Sequence, residues 1–172
     1  MRINYKKSLK IITLLVASIL IASASAATYT YMYINGSVTI SSTGLTWIKG
    51  DGASAGTTIS GSTATVALSI SNGTTTNFTN YLYMKNLDAS THSLMINITT
   101  AATASLYETN GFNISIYNNA TQAYVGSLDV LSTSSYYSGT FPASGVWHFV
   151  FQVATKTDAS GSDSFNVQFT YQ

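Results

Sequence analysis

The feature that most constrains the fold is a two-residue alternation of apolar and polar side chains that recurs along most of the chain. Near residue 172, Phe165, Val167, Phe169 and Tyr171 alternate with polar residues. Because successive side chains of a β-strand point to opposite faces, this alternation predicts a strand with one buried face. The same pattern predicts strands at residues 28–40, 45–49, 63–70, 78–85, 93–99, 112–118, 123–131, 146–155 and 164–171.

Short clusters of turn-forming residues separate the predicted strands, among them Gly50-Asp51-Gly52, Asn72-Gly73 and Asn110-Gly111. No segment beyond residue 27 shows a helical period, and we find no internal repeat and no second domain. About nine strands at this spacing predict one all-β domain, an immunoglobulin-like or jelly-roll β-sandwich. We expect strands 146–155 and 164–171 to form a hairpin across a turn at residues 158–163.

The first 24 residues have a different character. Four basic residues between positions 2 and 10 precede an apolar run over residues 11–24, and A-x-A cleavage sites end at Ala24 and Ala26. This is the pattern of a secretory signal peptide, and the run is shorter than the roughly 20 residues that span a membrane. We predict a signal peptide at residues 1–24, with cleavage after residue 24 or, at the latest, after residue 26, and an extracellular mature protein.

The composition of the remaining chain limits its partners and its means of stabilisation. Without the predicted signal peptide, three lysines stand against six acidic residues, a net charge of −3. Such a chain has no basic patch, so we expect no nucleic-acid partner. An exported protein without cysteine also has no disulfides. Its stability must come from burial, backbone pairing or assembly with neighbours.

In the predicted N-terminal strand, residues 28–40, the odd-numbered and even-numbered positions carry different types of residue. The odd positions include three tyrosines and Asn35, and the even positions carry methionine, isoleucine and valine. We therefore expect the even face to be buried. A strand of 13 residues extends over roughly 43 Å, which is long for a small sandwich. The groove that receives it belongs either to this chain or to a neighbouring copy.

Six Asn-x-Ser/Thr sequons follow in the chain. They begin at Asn35, Asn72, Asn77, Asn97, Asn113 and Asn119. In an exported chain such sites are candidates for N-linked glycosylation, which requires a side chain that faces solvent. We predict that these six asparagines lie on the solvent side and that most carry glycans.

The sequence contains no motif typical of catalysis or metal binding. Its two histidines are His92 and His148, and no nucleophile-elbow pattern accompanies them. The acidic residues Asp158 and Asp163 are spaced loosely like calcium ligands, but no distal glutamate follows. We expect a protein that is not an enzyme and that needs no cofactor or metal.

Together, the predicted signal peptide, the long alternating first strand, the cysteine-free sandwich, the sequons and the aromatic last strand resemble the archaeal thread pilins. The last strand is also similar to that of bacterial chaperone–usher type 1 pilins, which have a penultimate tyrosine, here Tyr171. Donor strands of those pilins carry alternate apolar residues interrupted by a glycine. The matching positions here are Met32, Ile34, Gly36, Val38 and Ile40.

The resemblance implies a glycosylated cell-surface filament, with residues 27–40 as donor strand and residues 41–172 as the pilin domain. Copies would join head-to-tail by donor-strand complementation, for adhesion or biofilm formation through surface or cell–cell contacts. The residues expected to enter the neighbouring groove are Thr30, Met32, Ile34, Gly36, Val38 and Ile40. The alternatives are a TasA-like biofilm-matrix or bundling-pilus subunit, a monomeric adhesive or lectin-like domain, and an archaeal type IV pilin.

Overall fold

A computed structural model describes residues 31–40 and 44–171 of the chain. These residues form eleven β-strands and one 3-10 turn, residues 104–106. The predicted signal peptide, its cleavage sites and Thr30 lie outside the described residues. The strands are β1 Tyr31–Ile40, β2 Leu45–Lys49, β3 Thr58–Ser60, β4 Thr63–Ser71, β5 Thr75–Asn86, β6 His92–Thr100, β7 Tyr107–Asn118, β8 Tyr124–Asp129, β9 Tyr136–Phe141, β10 Val146–Thr155 and β11 Gly161–Tyr171.

The strands form the two layers of a β-sandwich, which confirms the predicted all-β fold class. One sheet has six strands in the order β3-β4-β1-β11-β6-β9, and the other has five in the order β2-β5-β10-β7-β8. Between them lies an apolar core rich in aromatic rings. Trp47 packs edge-on against Phe149 and Phe169, with ring centroids 5.8 and 5.1 Å away.

The expected hairpin of residues 146–155 and 164–171 is wrong. The strands β10 and β11 lie in opposite sheets and face each other across the core. The Phe149 ring lies 5.6 Å from that of Phe169. Both strands carry an inward row of aromatic residues, and placing the rows face to face lets their rings interdigitate.

The predicted turn at residues 158–163 is a crossing between the sheets, and its last three residues belong to β11. The Asp163 carboxylate accepts hydrogen bonds from the Thr103 backbone N–H at 2.8 Å, the Thr103 hydroxyl at 3.0 Å and the Tyr107 hydroxyl at 2.9 Å. Burial, with the adjacent Asp163 carboxylate, raises the pKa of Tyr107. These bonds tie the start of β11 to the segment that leads into β7.

Two of the observed strands were not predicted. The strands β3 and β9 are edge strands with mostly polar sequences, in which only Phe141 is buried.

The predicted turn at Asn110-Gly111 lies within a strand, β7, at the point where the register against β10 shifts. A Cβ on Gly111 would lie 2.6 Å from the Ala154 carbonyl oxygen. Glycine there allows a β-bulge to pass close to its neighbour.

The β1 strand and its groove as the candidate functional site

The strand β1 lies in the middle of the six-stranded sheet. On one side it pairs antiparallel with β4, from Tyr31 opposite Ser71 to Thr39 opposite Thr63. On the other it pairs parallel with β11, from Met32 opposite Gly161 to Ile40 opposite Phe169. This is the only parallel pairing among the described strands. We call the space between β4 and β11 that β1 fills the β1 groove.

The even-numbered side chains of β1 point into the core of the same chain. Met32, Ile34, Val38 and Ile40 are at most 3% exposed. Full burial of such a side chain contributes about 1.5–3 kcal/mol, so the four contribute roughly 6–12 kcal/mol. A whole domain has a net stability of about 5–15 kcal/mol. The sandwich therefore depends on a strand in this groove, whichever chain supplies it.

Gly36 sets the register of β1 against β11. It lies directly opposite Phe165, and a Cβ at this position would meet the Phe165 Cζ at 2.1 Å. Phe165 is fully buried, and its ring lies 5.1 Å from that of Phe112 and 6.4 Å from that of Phe151. Because these rings hold Phe165 in place, only a glycine fits beneath it.

The odd-numbered side chains of β1 face outward. Tyr31 and Tyr33 are 51% and 58% exposed, and Asn35 is also exposed. Near the end of the strand, the hydroxyl oxygens of Thr39 and Thr63 lie 3.3 Å apart across the pairing with β4. This outer face leaves room for a glycan on Asn35 beside the tyrosines.

None of the six sequon asparagines packs in the core. Asn35, Asn77 and Asn119 are exposed, and Asn72, Asn97 and Asn113 are partly exposed. At two sites the amide is constrained: the Oδ1 of Asn72 is buried without a hydrogen-bond partner, and the Nδ2 of Asn113 donates to the Asn110 carbonyl at 2.6 Å. Exposure therefore favours attachment most at Asn35, Asn77 and Asn119.

The two histidines lie in different sheets. His92, at the start of β6, has its Nε2 2.8 Å from the Oδ2 of Asp88. His148 lies on the outer face of the other sheet, where its ring stacks on Tyr117 at 5.3 Å. Within residues 31–40 and 44–171, no three or more His, Asp or Glu side chains are placed to hold a metal ion.

His148 makes the stability of the sandwich sensitive to acid. Its Nδ1 is buried without a hydrogen-bond partner, and burial lowers the pKa of its imidazole below the ordinary 6.5. The unfolded chain therefore takes up the proton more readily, and the stability that neutral His148 contributes is lost as the pH falls below about 6.5. We expect the melting temperature of His148→Phe, measured by circular dichroism, to fall less between pH 7.5 and pH 5 than that of the wild type. If the melting temperatures of the two proteins fall equally with pH, then groups other than His148 cause the acid sensitivity.

A cross-strand row of four aromatic residues and one isoleucine on the outer face of the five-stranded sheet was not predicted. It runs over all five strands, through Ile48, Tyr83, His148, Tyr117 and Tyr124. Each residue is an outward member of its own strand, so the alternation signals its face. Which residues become neighbours across the sheet depends on the register, which the sequence pattern does not contain.

Among the described residues, no helix has the length and apolar character needed to cross a membrane. No protein-family model matches the sequence, and no curated protein matches it significantly.

Proposed function

We propose that this protein is the structural subunit of an extracellular, glycosylated filament that grows head-to-tail by donor-strand complementation. The β1 strand of one copy fills the β1 groove of the next. The proposal rests on one observation above all: β1 is a central strand of its sheet, yet it connects to the other described strands only through residues 41–44. Adhesion or biofilm formation is the role that such a filament serves.

The topology makes exchange of β1 between copies simple. The strand ends at Ile40, and the next strand begins at Leu45 in the opposite sheet. If residues 41–44 extend away from the sandwich, β1 reaches the identical groove of a second copy and forms the same pairs with β4 and β11. This is a strand swap, and it requires no new contact surface.

The energetics require that the groove be filled. Without β1, the strands β4 and β11 would present unpaired backbone edges beside an open core, which is a template for aggregation. A strand from another copy satisfies these edges by β-augmentation. Because donor strand and acceptor groove are different surfaces, the contact is heterologous and propagates as an open filament. A chain without disulfides gains stability from this assembly.

A second candidate function is a monomeric secreted adhesive or lectin-like domain. It is favoured by the position of β1, which fills the groove of its own chain. Both candidates use the same pairs between β1 and β4, and they differ in whether those pairs join one chain or two. The TasA-like and bundling-pilus alternatives share the two-chain arrangement.

A disulfide trap separates one chain from two. The chain has no cysteine, and the Thr39 and Thr63 hydroxyls lie 3.3 Å apart, so Thr39→Cys with Thr63→Cys places two thiols within bonding reach. We expect oxidised surface material to give a ladder of covalent oligomers on non-reducing gels. Only in a filament does Thr39 of one copy lie beside Thr63 of the next copy.

The control pairs Thr39→Cys with Asn77→Cys, which lies in the other sheet and gives no ladder. A fully oxidised Thr39→Cys/Thr63→Cys protein that remains one chain in size would contradict the filament. That result would establish the monomeric alternative. Electron microscopy of the same material provides the second readout, because filaments should be visible before any oxidant is added.

A further inference from the structure

A shallow groove of about 440 Å³ crosses the outer face of the five-stranded sheet. Asn119, the residue that follows β7, lines one end of it. From there the groove passes over Val146 on β10 and between Lys85 and Tyr83 on β5. It ends at Ile48 on β2, the edge strand. We call it the Asn119 groove.

Apolar and charged side chains together line the Asn119 groove. Ile48 is 41% exposed, and Tyr83 is half-buried with its ring 6.0 Å from that of His148. The exposed side chains of Lys49, Lys85 and Asp51 also line the groove. A sugar ring has the matching chemistry: its C–H faces pack on aromatic and aliphatic side chains, and its hydroxyls bond to charged groups.

We infer that an N-linked glycan on Asn119 folds back into the Asn119 groove and covers Ile48 and Tyr83. The inference rests on the glycosylation included in the proposed function. Asn119 is exposed and starts the sequon Asn119-Ala120-Thr121, so the attachment point lies within the groove itself. From β7 to β2 the groove crosses three strand spacings, about 14 Å. The first sugars of a glycan cover such a distance.

The other exposed sequon on this face lacks such surroundings. Asn77, on β5, lies opposite Gln152, which lies opposite Asn113 on its other side. This row is polar, and Asn77 does not line the Asn119 groove. A glycan on Asn77 therefore has polar neighbours across the sheet and extends into solvent. Asn77 is the matched control for Asn119.

The test uses the full chain secreted from a host that glycosylates Asn-x-Ser/Thr sites, with site occupancy read by mass spectrometry. We expect Asn119→Gln to lower Tm by about 2–4 °C and Asn77→Gln to change it by less than about 1 °C. Ile48→Ser should lower Tm in the glycosylated protein and have a smaller effect when Asn119→Gln is also present. Nuclear Overhauser contacts between sugar ring protons and the Tyr83 ring provide the direct readout.

Three results would overturn the inference: no sugar on Asn119, equal effects of Asn119→Gln and Asn77→Gln, or a glycan without contacts to Tyr83. A groove filled by a neighbouring copy is recognised by Tyr83 contacts that persist in Asn119→Gln, and it also overturns the inference. Filament assembly is scored separately by electron microscopy. Filaments with a free Asn119 glycan would remove only this inference, and a docked glycan on a monomer would remove only the proposed assembly.

Discussion

Ile34→Asp is expected to abolish filaments, because it places a carboxylate in the middle of the β1 groove. Ile34 is fully buried between β4 and β11. An unpaired buried charge costs several kcal/mol, in addition to the lost burial of the isoleucine. Because a whole domain has a net stability of only about 5–15 kcal/mol, a loss of this size prevents the variant strand from occupying the groove. Electron microscopy of surface material and sedimentation of the secreted subunit measure the outcome.

The matched control is Tyr33→Asp, which makes the same new side chain one residue away on the outward face. Tyr33 is 58% exposed, so we expect this variant to assemble as the wild type does. Val38→Asp, on the buried face, should repeat the loss seen with Ile34→Asp. If Tyr33→Asp blocks assembly while Ile34→Asp does not, the opposite face enters the groove. If neither matters, β1 is not the donor.

A failure to fold is distinguished from a failure to donate by adding the strand separately. The Ile34→Asp substitution leaves the sequences of β4 and β11 unchanged, so a synthetic peptide of residues 27–40 should bind this subunit and raise its Tm. The same peptide with the Ile34→Asp change should have no effect. Binding of neither peptide would show that the acceptor groove does not exist without its own covalently attached β1.

Gly36→Ala is also expected to lower the stability strongly, because the new methyl group has no room under Phe165. The added Cβ lies 2.1 Å from the Phe165 Cζ, and the ring is held by Phe112 and Phe151. Overpacking of this kind costs about 1–3 kcal/mol. Phe165→Leu should restore part of the loss, and chemical denaturation of the single and double variants measures the coupling.

A less constrained glycine provides the control. In Gly139→Ala the new methyl meets the hydroxyl end of Tyr137 at 2.0 Å. Tyr137 packs edge-on against Trp147, with ring centroids 5.9 Å apart, but it is half-buried on an edge strand and so is less enclosed than the fully buried Phe165. We therefore expect a smaller loss than for Gly36→Ala. Equal losses for the two would mean that Phe165 does not clamp Gly36, and the register of β1 against β11 would be wrong.

The same two substitutions also report which chain fills the groove. In a filament, Gly36 and Phe165 of one contact belong to different copies. A mixture of Gly36→Ala and Phe165→Leu subunits should therefore form filaments in which the variants alternate, more readily than Gly36→Ala alone. In a self-filled monomer the contact is internal, and mixing would not change the stability of either variant.

The local alternation was the most informative part of the sequence. It predicted the bounds of β2 and β10, and it placed Phe165, Val167 and Phe169 on one face, all of which are buried. These features were predictable because the period of a strand depends only on backbone geometry. The edge strand β9 was missed because one face of an edge strand need not be apolar, and its Tyr136 is 66% exposed.

Strand partners were not predictable in the same way. The hairpin expected between β10 and β11 was a reasonable inference from adjacency in sequence, yet the two strands lie in opposite sheets. An alternating strand is equally compatible with either sheet of a sandwich. The choice depends on contacts between residues far apart in the chain, such as the three hydrogen bonds that Asp163 accepts from Thr103 and Tyr107.

The sequence by itself determined that the chain forms strands and which side chains of β1 share a face, because alternation is a property of each segment alone. Only the tertiary structure decided that β1 lies between β4 and β11, that Gly36 lies under Phe165, and that Asn119 opens onto Ile48 and Tyr83. Register and neighbourhood across a sheet are set by the summed packing of many strands, and a shift of one residue reverses every face.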